Sequence, residues 1–196
     1  MSSYYPVFLE LKGRLCLVVG GGEVAFRKAK SLAGCGAKIK VVAPRLHPGL
    51  RRLAARKKIR WVRGSFHPAH LRGTDLVIAA TDEARVNAAA SVWAKRRGLW
   101  INVVDRPSLC SFIVPSVVRR GKLVFAISTS GASPALAKWI RKDLQARYGP
   151  EFKRLLAAIA KVRGKVKRRI GGLRQRKKLF EEALEAYFKV IRKGIR

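Results

Sequence analysis

Arg14-Leu15-Cys16-Leu17-Val18-Val19 runs directly into Gly20-Gly21-Gly22-Glu23-Val24-Ala25. A short apolar run ending in glycines predicts a strand buried on both faces of a parallel sheet. Behind the glycines, Ala25, Ala29, Leu32 and Ala33 recur at helical spacing, and Gly34 and Gly36 stop the helix. Gly20-x-Gly22-x-x-Ala25 therefore stands where a dinucleotide-binding turn must stand, after a strand and at the mouth of a helix. Gly20 permits the tight turn, Gly22 lets the backbone approach a pyrophosphate, and Ala25 lets helix and strand pack closely. The free amides and positive dipole end of the helix favour the phosphates. The competing reading is a tight turn with no ligand.

Working outward, the pattern repeats. Strands are expected at residues 39–43, 59–62, 75–80 and 100–104. A short helix carries Leu50, Leu53 and Ala54, and a longer one over residues 83–97 is closed by Gly98. Strands alternating with helices predict an α/β fold, a Rossmann-like parallel sheet with helices on both faces. After Asp105-Arg106-Pro107 the pattern changes. Strands are expected at residues 111–118 and 123–128, joined by a turn at Arg119-Arg120-Gly121-Lys122. Ser133-Pro134 reads as an N-cap with proline at the first helical position, and Gly149-Pro150 ends that helix. Phe152, Leu155, Leu156, Ile159 and Val162 mark a further helix, Gly171-Gly172 breaks it, and Leu179, Phe180, Ala183, Leu184, Tyr187, Phe188 and Ile191 mark a last one. Three parts follow: an α/β domain over residues 1–107, a mixed segment over 108–148, and a helical, basic domain over 149–196.

In open parallel sheets ligands bind at the carboxyl ends of the strands. Thr81-Asp82 follows the fourth strand there and reads as a cofactor contact, as a cap for the next helix, or as both. Asp105 ends the fifth strand on the same edge, and it is one of only 11 acids in the chain. It reads either as a general base or as half of a salt bridge. The acid that commonly holds the adenine ribose is missing, because the second strand runs out through Ala43-Pro44-Arg45. Arg45 could meet a 2′-phosphate, so the residues leave NAD and NADP both open. Ser128-Thr129-Ser130-Gly131 precedes a helix and reads as an anion-binding loop or a plain N-terminal turn. His47 and His67 each precede a proline, His70 lies between Pro68 and Gly73, none has metal-ligand partners, and all three are expected at the surface. Cys16 is expected as a buried free thiol. The three cysteines have no metal-type spacing, and no metal site is expected.

Lys and Arg total 44 against 11 Asp and Glu, a net charge of +33 among 196 residues. Such a field draws anions of every kind, nucleic acid and small polycarboxylates alike. Residues 163–178 hold nine basic residues and no acid, but no interleaved aromatics on which bases could stack. Nucleic acid is therefore not expected as the functional partner. Apolar residues make up 48%, and no stretch has the length of a membrane span. Met1-Ser2-Ser3-Tyr4-Tyr5-Pro6 lacks the layout of a leader, so a cytoplasmic protein is expected. A nucleotide-sensing regulatory module and a basic nucleic-acid binder are the rival readings.

Tyr5-Pro-Val-Phe-Leu-Glu-Leu, Val18-Val-Gly-Gly-Gly-Glu-Val-Ala, Arg27-Lys28, Val42-Ala-Pro, Ile78-Ala-Ala-Thr-Asp, Asn102-Val-Val-Asp, Ser111-Phe-Ile-Val-Pro and Ser133-Pro-Ala-Leu-Ala occur in this order. Together they resemble the precorrin-2 dehydrogenase family, which includes the amino-terminal region of siroheme synthase. The resemblance spans residues 4–148 and is loose in the basic tail. It implies a homodimer with an NAD-binding Rossmann domain and a central dimerisation segment at residues 108–148. It implies NAD-dependent oxidation of precorrin-2, a polycarboxylate tetrapyrrole, to sirohydrochlorin. Some members also insert iron, in which case ferrous ion is a further partner. By the same resemblance Asp105 is the catalytic general base, and Glu23, Val24, Pro44 and Arg45 join Gly20, Gly22, Ala43, Thr81 and Asp82 around the cofactor. Ser128, Thr129 and Ser130 match a loop near the tetrapyrrole cleft, with Ser130 where the family commonly has glycine. The family also lacks the acid after the second strand, and it uses NAD. No methyltransferase activity is expected within this chain.

Overall fold

The computed structural model describes residues 4–193. The sequence readings at Met1-Ser2-Ser3 and at the end of the tail, residues 194–196, lie outside the described residues. Two compact units emerge: Met1–Pro115 with Ser130–Ala132, and Ser116–Thr129 with Ser133–Arg196.

In the first unit, β1 (Leu15–Val19), β2 (Lys38–Ala43), β3 (Arg60–Arg63), β4 (Leu76–Ala79) and β5 (Trp100–Val103) form one parallel sheet in the order β3-β2-β1-β4-β5. Alternating side chains divide the core between its two faces. Cys16 and Val18 of β1 point to one face, against Ala25 and Ala29 of α1 (Glu23–Gly34) and Leu50 of α2 (Pro48–Ala55). Leu17 and Val19 point to the other, against Ala90 and Ala94 of α3 (Ala84–Arg96). These residues are fully or almost fully buried, and each large one contributes about 1.5–3 kcal/mol relative to exposure. The alanines of α1 and α3 permit close approach: larger side chains would hold the helices off the sheet. The chain moves outward from β1 to β3 and then returns to β4. That reversal leaves a crevice at the carboxyl ends of β1 and β4, where the candidate site lies.

Two short 3-10 turns, Pro68–Leu71 and Pro107–Leu109, add to the elements expected from apolar periodicity, being too short to show any. The strand expected from residue 111 begins only at Ser116. Residues 109–112 instead lie along the free edge of β5, where the Ser111 amide donates to the Ile101 carbonyl at 2.8 Å. This edge contact ties residues 109–112 to the first unit, which runs on to Pro115.

In the second unit, β6 (Ser116–Arg120) and β7 (Leu123–Ile127) pair antiparallel. Arg120 lies opposite Leu123, so the loop is two residues long, with Gly121 at φ 63° in its first position. Positive φ there suits a hairpin turn whose twist matches the strands. α4 (Pro134–Arg147) starts as its sequence predicts, with the Leu136 amide donating to Ser133 Oγ at 3.1 Å. Arg120 donates to the carbonyls of Gln145 and Tyr148 and closes the far end of that helix. Phe125, Tyr148, Phe152 and Phe188 form a chain of ring contacts reaching α5 (Glu151–Arg169) and α6 (Leu173–Lys193). No helix among the described residues is long and apolar enough to cross a membrane.

Candidate active site

The carboxyl ends of β1, β2, β4 and β5 converge because all four strands are parallel and in register, Val19 beside Val42 and Ala79, and Ala79 beside Val103. The loops that leave them enclose a cavity of about 780 Å³, within the usual range for a small-molecule or cofactor site. Gly20, Gly22, Glu23, Val24, Ala43, Pro44, Arg45, Thr81, Asp82 and Asp105 all line it.

The glycine turn sets the geometry. Gly20 takes φ 118°, and a side chain there would collide with the Ala80 carbonyl. Gly21 is tighter still, since a Cβ would run into the Arg45 carbonyl and the Ala43 side chain. Gly21 falls on an unspecified position of the motif, so only the fold reveals its role. Gly22 differs from both. It is extended, and a Cβ on it would meet no protein atom within 4 Å. Open space in front of a helix N-cap with no side-chain cap is what a pyrophosphate needs. The residues present therefore fit a dinucleotide.

Glu23 and His47 form a pair across this wall, with Nε2 and Oε2 2.9 Å apart. His47 also caps α2, its Nδ1 accepting the Gly49 amide at 3.0 Å, and it stacks on Phe26. The expectation of a surface histidine is thus corrected: His47 is half-buried and lines the cavity. His67 and His70 cap the 3-10 turn instead, each accepting a backbone amide. Pro68, directly after His67, is the sequence signal for such capping.

Thr81 and Asp82 do not cap the next helix. Glu83 is the N-cap of α3 and uses no side-chain bond, while Thr81 Oγ1 accepts the Glu83 amide at 2.9 Å. Asn87, which the sequence did not single out, ties the turn down. Its amide donates to the Thr81 carbonyl at 2.8 Å, and its oxygen accepts the Thr81 amide at 3.3 Å. The backbone at the end of β4 is held rigid by these bonds.

Asp105 adopts φ 57°, a left-handed conformation that Asp tolerates better than most residues. It is exposed on the cavity wall, and among the described residues no cation lies within 4.0 Å of its carboxylate. The salt-bridge alternative is therefore not what the structure shows. Lys28 of α1 lies within electrostatic reach; burial and the adjacent Arg27 push its pKa down, and Asp105 pulls it back up. Ser128 and Thr129 belong to the second unit and Ser130 to the first, and none of the three is on this cavity wall. The Thr129 hydroxyl accepts the Ser133 amide at 3.0 Å, so the loop is at least the lead-in to α4. Ser130 has φ 52°, where glycine is easier. Among the described residues no group of three or more His, Cys, Asp or Glu could hold a metal ion.

Known proteins share this arrangement of chain. An NAD(P)-binding family model matches residues 7–116, and a model for the central region of sirohaem biosynthesis proteins matches residues 120–147. Siroheme synthase of Methylobacillus flagellatus is 44% identical over 92% of this chain, and that of Sodalis glossinidius is 45% identical over 94%. The chain spans 38% and 39% of the length of these relatives. Among solved structures, SirC, precorrin-2 dehydrogenase, superposes with a TM-score of 0.79 at 31% identity, covering 91% of this chain and 88% of that one.

Proposed function

From the premise that this chain belongs to the precorrin-2 dehydrogenase and siroheme synthase family, we propose that it oxidises precorrin-2 to sirohydrochlorin with NAD. The observation that carries the reading is that Asp105 lines the same cavity as the Gly20-Gly21-Gly22 turn.

NAD supplies the hydride acceptor when bound. The chain's own residues do the rest. Gly20, Gly22 and the first amides of α1 would hold the pyrophosphate, with Glu23 and Val24 beside it. Ala43, Pro44 and Arg45 would form the adenosine wall, and Thr81 and Asp82 the opposite one. Asp105 would take the proton released as hydride leaves the tetrapyrrole, its carboxylate being in no ion pair among the described residues. The basic field concentrates a polycarboxylate substrate, whose acid side chains Arg and Lys can pair. Ser128, Thr129 and Ser130 remain candidates for substrate contact.

The domain reading follows the same line: an NAD-binding part over residues 1–107, a dimerisation segment over 108–148 and a basic helical part over 149–196. A homodimer is supported by large apolar side chains left exposed on the second unit, Val117, Leu136 and Trp139. A cytoplasmic setting suits NAD chemistry. If the protein also inserts iron, ferrous ion enters as substrate and Asp105 would deprotonate the pyrroles; absorbance of sirohydrochlorin with ferrous ion, with and without protein, decides this.

The test of the main reading is incubation with precorrin-2 and NAD. A sirohydrochlorin spectrum is expected, and Asp105→Ala should lower turnover by roughly 10²–10⁴-fold while NAD still binds. A folded wild-type protein that leaves intact precorrin-2 unchanged would refute it.

A further inference from the structure

β5 is the outermost strand of its sheet, so the amides and carbonyls of Ile101 and Val103 face away from β4 with no strand to pair them. Residues 109–112 meet these groups, but with side chains as much as with backbone. The Ile101 amide donates to Ser111 Oγ at 2.9 Å, and the Ile101 carbonyl accepts the Ser111 amide at 2.8 Å. One step further along, the Val103 amide donates to Cys110 Sγ at 3.1 Å. That sulfur also lies 3.3 Å from the carbonyl oxygens of Val103 and Arg106, to either of which the thiol can donate. Asn102 reinforces the tie from within the strand, donating to Cys110 Sγ at 3.6 Å and to the Phe112 carbonyl at 3.1 Å.

The segment is anchored as well as hydrogen-bonded. Leu109 and Cys110 pack on one core of the sheet and Phe112 on the other. Ser91 of α3 donates to the Leu109 carbonyl at 2.6 Å. The chain thus leaves β5 at Val103, turns through the left-handed Asp105, and is pulled back to Val103 by Cys110. The thiol closes the loop that carries Asp105 on both sides, at Val103 before it and at Arg106 after it.

We propose that this clasp of Cys110 and Ser111 on the free edge of β5, with the Cys110 thiol as its final tie, positions the Asp105 carboxylate on the cavity wall. Cys110 acts as a positioning residue, since its side chain is engaged by the loop and does not line the cavity. The inference rests on the dehydrogenase reading for its catalytic consequence but not for its structural one. A thiol suits this position because one large atom accepts from two donors and donates to either of two carbonyls around a curved loop. Alanine at this position leaves the Val103 amide without its acceptor and lets the turn relax.

The experiment compares the wild-type protein with Cys110→Ala and Cys110→Ser by kinetics with precorrin-2 and NAD and by amide hydrogen exchange. In Cys110→Ala, the amide of Val103, and that of Arg106, which donates to the Val103 carbonyl at 3.3 Å, should exchange roughly fivefold faster or more, while core amides of β1 are unchanged. Its kcat should fall about tenfold or more, with KM for NAD unaltered. Cys110→Ser, which keeps a donor and acceptor, should recover most of both. Wild-type exchange and kcat in a folded Cys110→Ala protein would overturn the proposal. So would a loss of kcat that serine does not rescue, or one that comes without faster local exchange, since that pattern marks a merely structural residue. A wild-type enzyme inert toward precorrin-2 would refute the dehydrogenase reading, and the exchange comparison would still decide the clasp.

Discussion

Three adjacent glycines play three different parts. Gly20 and Gly21 are fixed by protein atoms, whereas Gly22 faces open space. Gly21→Ala should lower stability by about 1–3 kcal/mol through overpacking against the Arg45 carbonyl, seen as a fall in the thermal midpoint. Gly22→Ala should leave that midpoint near wild type yet weaken NAD binding by tenfold or more in a calorimetric titration, because its methyl occupies phosphate space. Equal loss of stability in both variants would contradict this division of roles. Cys16 offers a second residue-level test. Burial pushes its thiol from 9.0 up to about 11, with Asp75 adding to the rise. The folded value lies above the unfolded one, so the stability carried by the neutral thiol is complete below pH 9 and lost as pH rises towards 11. Urea unfolding should therefore show the wild-type protein losing roughly 2–3 kcal/mol more than Cys16→Ala between pH 8.5 and 11. Burial of Cys16 was legible in its apolar run. The asymmetry among the glycines was not, since it depends on where Ala43, Arg45 and Ala80 return.

At the scale of elements, local signals located nearly every strand and helix, because apolar periodicity and glycine stops act within a few residues of chain. The expected helix N-cap at Ser133 is present, and the expected cap at Thr81 or Asp82 is not. The strand expected at residue 111 starts late because residues 109–112 are used to cover an edge, and a segment paired through side chains has no two-residue periodicity to read. His47 joins two elements. It caps α2, pairs with Glu23 at the start of α1, and stacks on Phe26. His47→Ala should cost about 1 kcal/mol through the cap alone, measured by denaturant midpoint. It should also weaken NAD binding, since Glu23 loses the partner that holds it on the cavity wall. His47→Asn, which can still cap, should recover the stability but only part of the affinity.

For the whole molecule, a net charge of +33 cannot be a fold determinant, but it sets association. A cationic surface should capture a polycarboxylate tetrapyrrole strongly at low salt. The KM for precorrin-2 should accordingly rise severalfold between about 50 and about 300 mM sodium chloride, with kcat little changed. A KM indifferent to salt would show that the charge serves some other anion. Comparison of kcat/KM for NAD and NADP tests the cofactor preference, with Arg45→Ala expected to reduce use of NADP and leave NAD largely unaffected.

The sequence by itself determined the strand–glycine turn–helix, the alternation that makes the sheet parallel, and the candidacy of Asp105 as a rare acid at a strand end. These are properties of nearest neighbours along the chain and of composition. Only the tertiary structure decided that Asp105, in no ion pair among the described residues, lines the same cavity as Gly20 and Gly22, that Gly21 is sterically bound, and that Cys110 ties the loop carrying Asp105 at Val103 and Arg106. The physical reason is register. Parallel pairing sets the carboxyl ends of β1, β2, β4 and β5 side by side, and groups distant in sequence acquire their distances from that alignment alone.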